Sequence, residues 1–306
     1  MRRYMFFVFL FIGITGLFGR EDILIDFSNL EGTGIDFSAQ AGDNWTPEEK
    51  AMMTLDLSIN NWSAKVNSSS KTIQATNKTE ILTVKDTLEY PNQNVLGVRI
   101  YFPQRYANSY AEITPPFEIP SYYDNKENPD GMGTLFIYKG VVRNVGTIKK
   151  ISVRVLGNNF KYALYVRIKN KNAEIKDVFV GYLNFIGWRT ISWVNPHYQV
   201  EVDNRNKNRD SVPYYPYEYP YIKFMGFVVQ RLNTETTGNS VIMVKEVSVE
   251  YEEEFIDIGE PSQRQEGIFK IYKEELMEKS LKETRNIDVK IFNEWVESAK
   301  MHKLTK

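Results

Sequence analysis

Between Val145 and Tyr198 the chain reads VGTIKKISVRVLGNNFKYALYVRIKNKNAEIKDVFVGYLNFIGWRTISWVNPHY. Ile148, Ile151, Val153 and Val155 mostly alternate with Lys150, Ser152 and Arg154, the period-2 pattern of a strand with one wet face. Gly157-Asn158-Asn159 then interrupts the run as a tight turn would. In the next strand Ala163, Tyr165, Arg167 and Lys169 share one face, and Leu164, Val166 and Ile168 the other. Asn170-Lys171-Asn172 turns the chain again, after which Val178–Val180, Leu183–Phe185 and Trp188–Trp193 read as a continuing meander. No helix-period face appears here, and β-branched and aromatic residues dominate. Strands with turn signals at this spacing predict an antiparallel β-sandwich of jelly-roll type, like those of lectins and carbohydrate-binding modules.

The order "GTIKKISVRVLGNN", "LYVRIKN", "GYLNFIGWRTISWVNP" resembles the spirochaete flagellar filament outer layer (sheath) proteins of the FlaA type. So do "ILIDFSNL" at Ile23–Leu30 and "GVRIYFPQRYANSYAEITPPFEIP" at Gly97–Pro120. The similar segments span most of the chain between Ile23 and Tyr251, and the region after Pro261 contributes little. The Gly-Trp piece alone is unspecific, because many carbohydrate-binding jelly rolls carry one. The resemblance implies a structural role: a subunit of the periplasmic flagellum that ensheaths a core flagellin filament beside other sheath proteins and copies of itself, contributing to filament shape, stiffness and motility.

At the N-terminus, Arg2 and Arg3 precede an almost wholly apolar run, Tyr4–Phe18, and Gly19 supplies a small residue before Arg20-Glu21-Asp22. This is a secretory signal pattern over residues 1–19. The apolar run is about 15 residues, short of the roughly 20 that span a bilayer. An uncleaved anchor is the alternative; after cleavage no stable membrane insertion is expected. The chain has no Cys, which excludes a lipid-anchored cysteine and leaves packing or assembly, not disulfides, to stabilise an exported protein. A formal net charge of −1 argues against nucleic-acid binding, which needs a clustered basic surface.

Residues 20–260 read as the β-sandwich domain. Its first strand is Ile23–Phe27. Thr46-Pro47-Glu48-Glu49 carries a helix start, with Thr46 as N-cap, Pro47 at the first position and Glu49 three residues after the cap. A short helix to about Met53 and a strand over Leu55–Trp62 follow. Val66–Thr79, rich in Ser, Thr, Asn and Lys, reads as an exposed loop. Asn44, Asn67 and Asn77 fit the N-glycosylation pattern, which an Asn-rich sequence also produces by coincidence. Val95–Phe102 and Ala111–Ile113 are strands, and Thr114–Pro120 is an edge or loop because prolines cannot donate to a ladder. Asp124–Gly131 offers oxygen ligands for Ca²⁺, but its spacing is not that of an EF-hand, and a solvated turn is the plainer reading.

After Val200–Val202 a polar loop is expected over Asp203–Asp210. Val212–Tyr221 then places Tyr214, Tyr215, Tyr217, Tyr219 and Tyr221 among three prolines. Proline stiffens such a segment, so the rings lose little entropy on contact. It is a candidate protein–protein contact or a stiff loop closing one end of the sandwich. Phe224–Leu232 and Ser240–Tyr251 are the last strands, the latter with Val241, Met243, Lys245, Val247, Val249 and Tyr251 on one face. Residues 261–306 form a helical extension, read as a hairpin broken at Asn286–Asp288, whose second stripe is Val289, Phe292, Trp295, Val296 and Ala299. Such a hairpin is too small for its own core, so its stripe packs on the sandwich or on a neighbour, and Phe292 and Trp295 join the candidate contacts.

Catalytic chemistry is nearly absent. His197 and His302 have no metal-ligand neighbour at useful spacing, and there is no Cys nucleophile, G-x-S-x-G, P-loop or G-x-G-x-x-G. Asp36, Glu112, Asp177 and Glu201 read as surface charges. No enzyme, cofactor or metal is expected. Three classes remain. A sheath subunit predicts apolar surface without an intramolecular partner. A carbohydrate-binding module would stack sugars on Trp188, Trp193 or the tyrosine segment, with coplanar rings on one face. A glycan hydrolase would bring two carboxylates to within about 5–10 Å in a cleft. The first is the reading adopted.

Overall fold

The computed structural model describes residues 19–85, 87–103, 109–123, 133–208, 220–232, 238–254 and 271–304, with side chains in the last segment at 278 and 281–300. The signal pattern at residues 1–18, the Asp124–Gly131 turn, the linker at 261–267 and Tyr214–Tyr219 lie outside the described residues. The chain forms β1 (Arg20–Asp26), β2 (Ile35–Asp36), α1 (Pro47–Ala51), β3 (Thr54–Leu55), β4 (Ser63–Val66), α2 (Ile73–Lys78), β5 (Glu80–Val84), β6 (Val95–Phe102), β7 (Tyr110–Thr114) and β8 (Val141–Arg143). The rest comprises β9 (Val145–Asn158), β10 (Tyr162–Asn170), β11 (Ile175–Tyr182), β12 (Ile186–Val194), α3 (Tyr198–Asn208), β13 (Tyr221–Arg231), β14 (Gly238–Glu253) and α4 (Ile271–Leu304).

Two antiparallel six-stranded sheets pack face to face. One runs β12-β9-β14-β6-β5, the other β11-β10-β13-β7-β4. The winding is nested: the β10–β11 hairpin of one sheet lies inside the β9–β12 pair of the other, and β13 and β14 then add beside β10 and β9. This is jelly-roll winding, not the meander read from the sequence. Gly157 and Asn158 stay in β9, paired with Gly187 and Ile186, and Asn159, at φ 61°, sends the chain across to the second sheet. Leu183–Phe185 is likewise a crossing, with Leu183 and Phe185 buried.

Each sheet has one long strand that pairs with two short ones in succession. β14 pairs with β6 up to Val244 and with β1 from Glu246, and a bulge falls between, at Lys245. A bulge adds one residue and reverses the facing of all that follow. Ser240, Ile242 and Val244 are therefore buried before it, and Val247, Val249 and Tyr251 after it. The expected single face holds only for Val247, Val249 and Tyr251; Val241 is exposed. The bulged Lys245 is buried and donates to Asp26 Oδ1 at 2.6 Å and Ser28 Oγ at 2.7 Å. In the other sheet β13 pairs with β8 over Tyr221–Lys223 and with β7 over Phe227–Gln230. Its irregularity lies at Met225–Gly226, opposite Arg167 and Ile168.

Several local readings change. α1 has the expected capping box: Thr46 accepts from Glu49 N, and Glu49 reaches back to Thr46 N. The expected strand Leu55–Trp62 is instead the two-residue β3 and a 3-10 turn, Ile59–Asn61, which lets the indole of Trp62 turn inward and donate to Leu57 O at 2.9 Å. Val66–Thr79 is not a loop. It holds α2, capped by Thr72, and buries Val66, Ser70 and Ala75. The polar stretch after Val202 is α3. Its helix is held by tertiary contacts rather than by an apolar stripe: Val202 is buried, and Arg205 bridges Glu252 at 2.9 Å and Glu254 at 3.3 Å.

The C-terminal region is one helix, not a hairpin. Asn286 and Asp288 sit within α4 because Asp288 is buried and accepts from Tyr123 Oη at 3.1 Å, a tertiary bond that overrides weak helix propensity. Glu283 accepts from Lys223 Nζ at 2.8 Å and from Ser121 N at 2.9 Å. Ile291 is buried, and Trp295 meets Trp45 at 5.0 Å and Phe37 at 6.5 Å, with Phe292 6.3 Å from Trp45. Such edge-to-face aromatic contacts add to the burial itself. Glu118 completes the polar seam, 2.6 Å from Lys169 and 3.8 Å from Lys223. Burial pushes its carboxyl up, but the Lys169 hydrogen bond and the charges of Lys223, Lys169 and Lys290 more than offset this and hold it below the usual range.

Two predictions follow from this packing. Gly226 has φ +132°, and a Cβ there would lie 2.2 Å from Ile113 O, whereas Gly238, at φ +129°, has open space. Gly226→Ala should lower stability well beyond the ~1–3 kcal/mol of backbone strain alone, and Gly238→Ala by no more than that strain, as read by urea denaturation. Because the folded-state pKa of Glu118 is depressed, its contribution is present above the ordinary carboxylate range and is lost as pH falls through the folded value. Glu118→Gln should therefore lower the melting temperature at pH 7, and the difference from wild type should vanish in acid.

Candidate functional site

The candidate surface residues fall in four places. Tyr221 opens β13, its ring 6.0 Å from Tyr122 in a T-shaped contact and 5.3 Å from Lys223 Nζ. It is anchored within the fold at the exit of the tyrosine segment. Phe292 and Trp295 are half-buried and pack within the chain against Trp45 and Phe37. Trp188 and Trp193 lie on β12, whose register with β9 is unbroken. Five residues apart on a regular strand, they point to opposite faces. Trp193 turns inward against the core. Trp188 turns outward and meets Tyr90 edge to face at 4.9 Å. The structure does not bring these two rings onto one platform.

Trp193 does line a cavity of about 260 Å³ at one end of the sandwich, with Tyr221, Asn195, Glu201 and Lys176. A larger cavity of about 560 Å³, mixed polar and apolar, lies among the loops that follow β1 and β3, lined by Phe27, Leu30, Glu31, Asp56, Ile59 and Lys85 among others. The carboxylates read as surface charges are occupied by neighbours. Asp177 takes a bidentate pair from Arg167 at 2.6 and 2.8 Å, and Glu112 accepts from the same guanidinium at 2.9 Å. Those bonds raise the Arg167 pKa, opposed by desolvation. Glu201 accepts from Asn195 at 2.8 Å, and Asp36 from Ser38 N at 2.9 Å. Among the described residues no group of three or more His, Asp or Glu could hold a metal ion, and no helix is long and apolar enough to cross a membrane.

The sequence reading missed the outer face of the second sheet. There Tyr165, Phe179 and Tyr182 form a run of rings at 5.4 and 5.0 Å, and Phe179, Tyr182 and Ile175 are exposed. The alternation around Tyr165 was visible, but β11 as an edge was not, since edge position depends on the order of strands in the sheet.

Comparison with known proteins bears on the whole sandwich. The sequence profile of the family described as "Flagellar filament outer layer protein Flaa" matches residues 27–260. A flagellar filament outer layer protein of Spirochaeta aurantia is 37% identical over 265 residues, covering 81% of this chain and 77% of that one. Its counterpart in Treponema pallidum is 30% identical over 264 residues, covering 76% and 75%. Among solved structures, carbohydrate-binding modules of the β-sandwich superfamily align over 62% of this chain and 57% of theirs, at 11% identity and a TM-score of 0.33. A module in complex with β-1,4-galactotriose aligns over 63% and 90%, at 8% and 0.29. At that similarity neither bears on what this chain binds. The matched residues begin in the turn after β1 and run past the end of β14, taking in the rest of both sheets, and on that ground the chain belongs to the flagellar filament outer layer protein family.

Proposed function

We propose that the chain is a structural subunit of the outer layer of a periplasmic flagellar filament, laid on a core of flagellin and contributing to its shape and stiffness. The observation that carries this reading is the family match across the sandwich, with relatives named as outer layer proteins at 30–37% identity. The surface is compatible with it. The carboxylates a hydrolase reading would use are tied up in ion pairs and hydrogen bonds. The tryptophans a sugar platform would use face opposite ways. A stiff sandwich with a helix clamped along it suits a coat, because load passes through packed sheets rather than through a hinge. The contact with the core is assigned to Tyr214, Tyr215, Tyr217 and Tyr219, which follow α3 in sequence and lead to the anchored Tyr221. Aromatic anchors of this kind dominate many interfaces.

Co-sedimentation tests this. The chain from Gly19 onward, mixed with bare flagellin core filaments, should pellet saturably, and replacing Tyr214, Tyr215, Tyr217 and Tyr219 with Ser should weaken pelleting at least tenfold without changing the melting temperature. Saturable pelleting that ignores those changes would keep the coat and move the contact. No pelleting at any concentration would remove direct core binding.

A further inference from the structure

Two core-facing positions at one end of the sandwich carry polar side chains. Ile168 and Ile222 are buried between the sheets. Lys176 lies opposite Ile168, and Asn170 opposite Ile222. Cross-strand partners share a face, so both polar residues take inward-facing places at the end of the β10–β11 hairpin. Asn170 serves its own turn, its Oδ1 accepting from Asn172 N and Glu174 N at 3.0 Å each. Lys176 has no such use. Among the described residues its one carboxylate neighbour is Glu174 Oε2 at 3.9 Å, and its side chain is 66% exposed. An inward-facing ammonium is costly where the space before it is filled by apolar atoms; here that space is open. Across it, Trp193 of β12 lies opposite the buried Ile151, so its ring also turns inward, yet it is only half-buried. The gap is the cavity of about 260 Å³.

The lining of this cavity selects its ligand. Ile148, Ile168 and Val178 set an apolar wall beside the indole. The polar groups around it have hydrogen-bonding capacity left. Among the described residues the Trp193 indole N–H and the Asn172 side-chain amide have no hydrogen-bond partner. Glu201 holds Asn195 through Oε2 at 2.8 Å, which leaves Oε1 to accept a further bond. A ring with an apolar face and a rim of hydroxyls matches this wall and rim, whereas an aliphatic chain or a plain aromatic ring would leave the amide and the carboxylate unused. Charge narrows the choice. Lys171 and Lys176 against Glu201 give the lining a balance of +1 (2 − 1), which attracts an anion, and an ammonium binds a carboxylate through a charge-assisted hydrogen bond. At ~30 Å³ per water the volume is that of roughly nine waters, room for one sugar ring and not for a chain. Trp188 turns to the outer face, so the site is a pocket built on Trp193 alone.

We propose that this end cavity binds one carboxylate-bearing sugar ring, the terminal residue of an acidic glycan. Its apolar face lies on Trp193, its hydroxyls meet Asn172 and Glu201, and its carboxylate meets Lys176. The site goes beyond the outer-layer reading and does not depend on it. Ligand-observed NMR titration tests it, with the chain from Gly19 onward and three probes: D-glucuronate, D-glucose and benzoate. Glucuronate should bind saturably, at least tenfold tighter than the other two, and more weakly as salt is raised. Lys176→Glu and Trp193→Leu should each weaken it at least tenfold, and Trp188→Leu should leave it unchanged. No saturable binding of glucuronate would overturn the inference. So would equal binding of glucose or benzoate, or binding that ignores both Lys176→Glu and Trp193→Leu. If Trp193→Leu melts early, Lys176→Glu, whose side chain is exposed, decides. A free polysaccharide and a glycan carried by a partner protein share this chemistry. Glucuronate that releases the chain from core filaments assigns the sugar to the partner; glucuronate that binds without releasing it assigns it to the free polysaccharide. Both results support the site, and a chain that never pellets with filaments but binds glucuronate overturns the outer-layer reading alone.

Discussion

The bulge at Lys245 is the constraint on which the first sheet depends. β14 is the central strand of its sheet and serves two partners in turn, β6 and then β1. Two short strands placed end to end cannot both keep register with a straight neighbour unless the neighbour absorbs the offset between them, and one extra residue does so. The extra residue is a lysine, and its ammonium is buried against Asp26, the last residue of β1. A buried ion pair is a weak source of net stability, since desolvation cancels most of its attraction. Its use here is positional: only with the bulge at residue 245 does Lys245 reach Asp26, so the pair selects one register out of several. β13 repeats the device with different chemistry. Its offset falls at Met225–Gly226, where the backbone of β7 comes too close for any side chain at residue 226.

The C-terminal helix is held by a seam that is apolar at one end and charged at the other. Ile291, Phe292 and Trp295 pack onto the N-terminal segment around Phe37 and Trp45. Glu283 and Asp288 reach Lys223, Ser121 and Tyr123 on the sandwich side. The helix thus joins segments far apart in sequence, and opening it would strand buried polar groups as well as expose apolar ones. Unsatisfied buried charges cost more than lost contacts of the same size, which makes the helix part of the folded body rather than a free arm.

A coat subunit calls for order over a broad surface, and polar pairing across the sheets supplies some of it. Carboxylates that topology brings together, such as Glu112 and Asp177, are bridged by one guanidinium. Among the described residues, apolar side chains are left exposed on the outer face of the second sheet at Ile175, Phe179 and Tyr182.

Much of the sandwich was legible in the residues themselves. Alternation at Ile151–Val155 and Leu164–Ile168, the capping box at Thr46–Glu49 and the run Val95–Phe102 each report a local preference, and each element stands where those residues place it. Local preference does not say which strand lies beside which. The crossing at Asn159, the bulge at Lys245 and the bare edge of β11 exist only once strand order is set, because each is defined by a partner on a strand outside its own local window or by the lack of one. The same holds for α3 and for the unbroken α4, whose polar residues look like loop or break until Glu252, Glu254 and Tyr123 arrive to bind them. By itself the sequence determined the period of each segment and the family to which it belongs. Tertiary structure decided register, edges and helix continuity, since those turn on desolvated pairings that no local window contains.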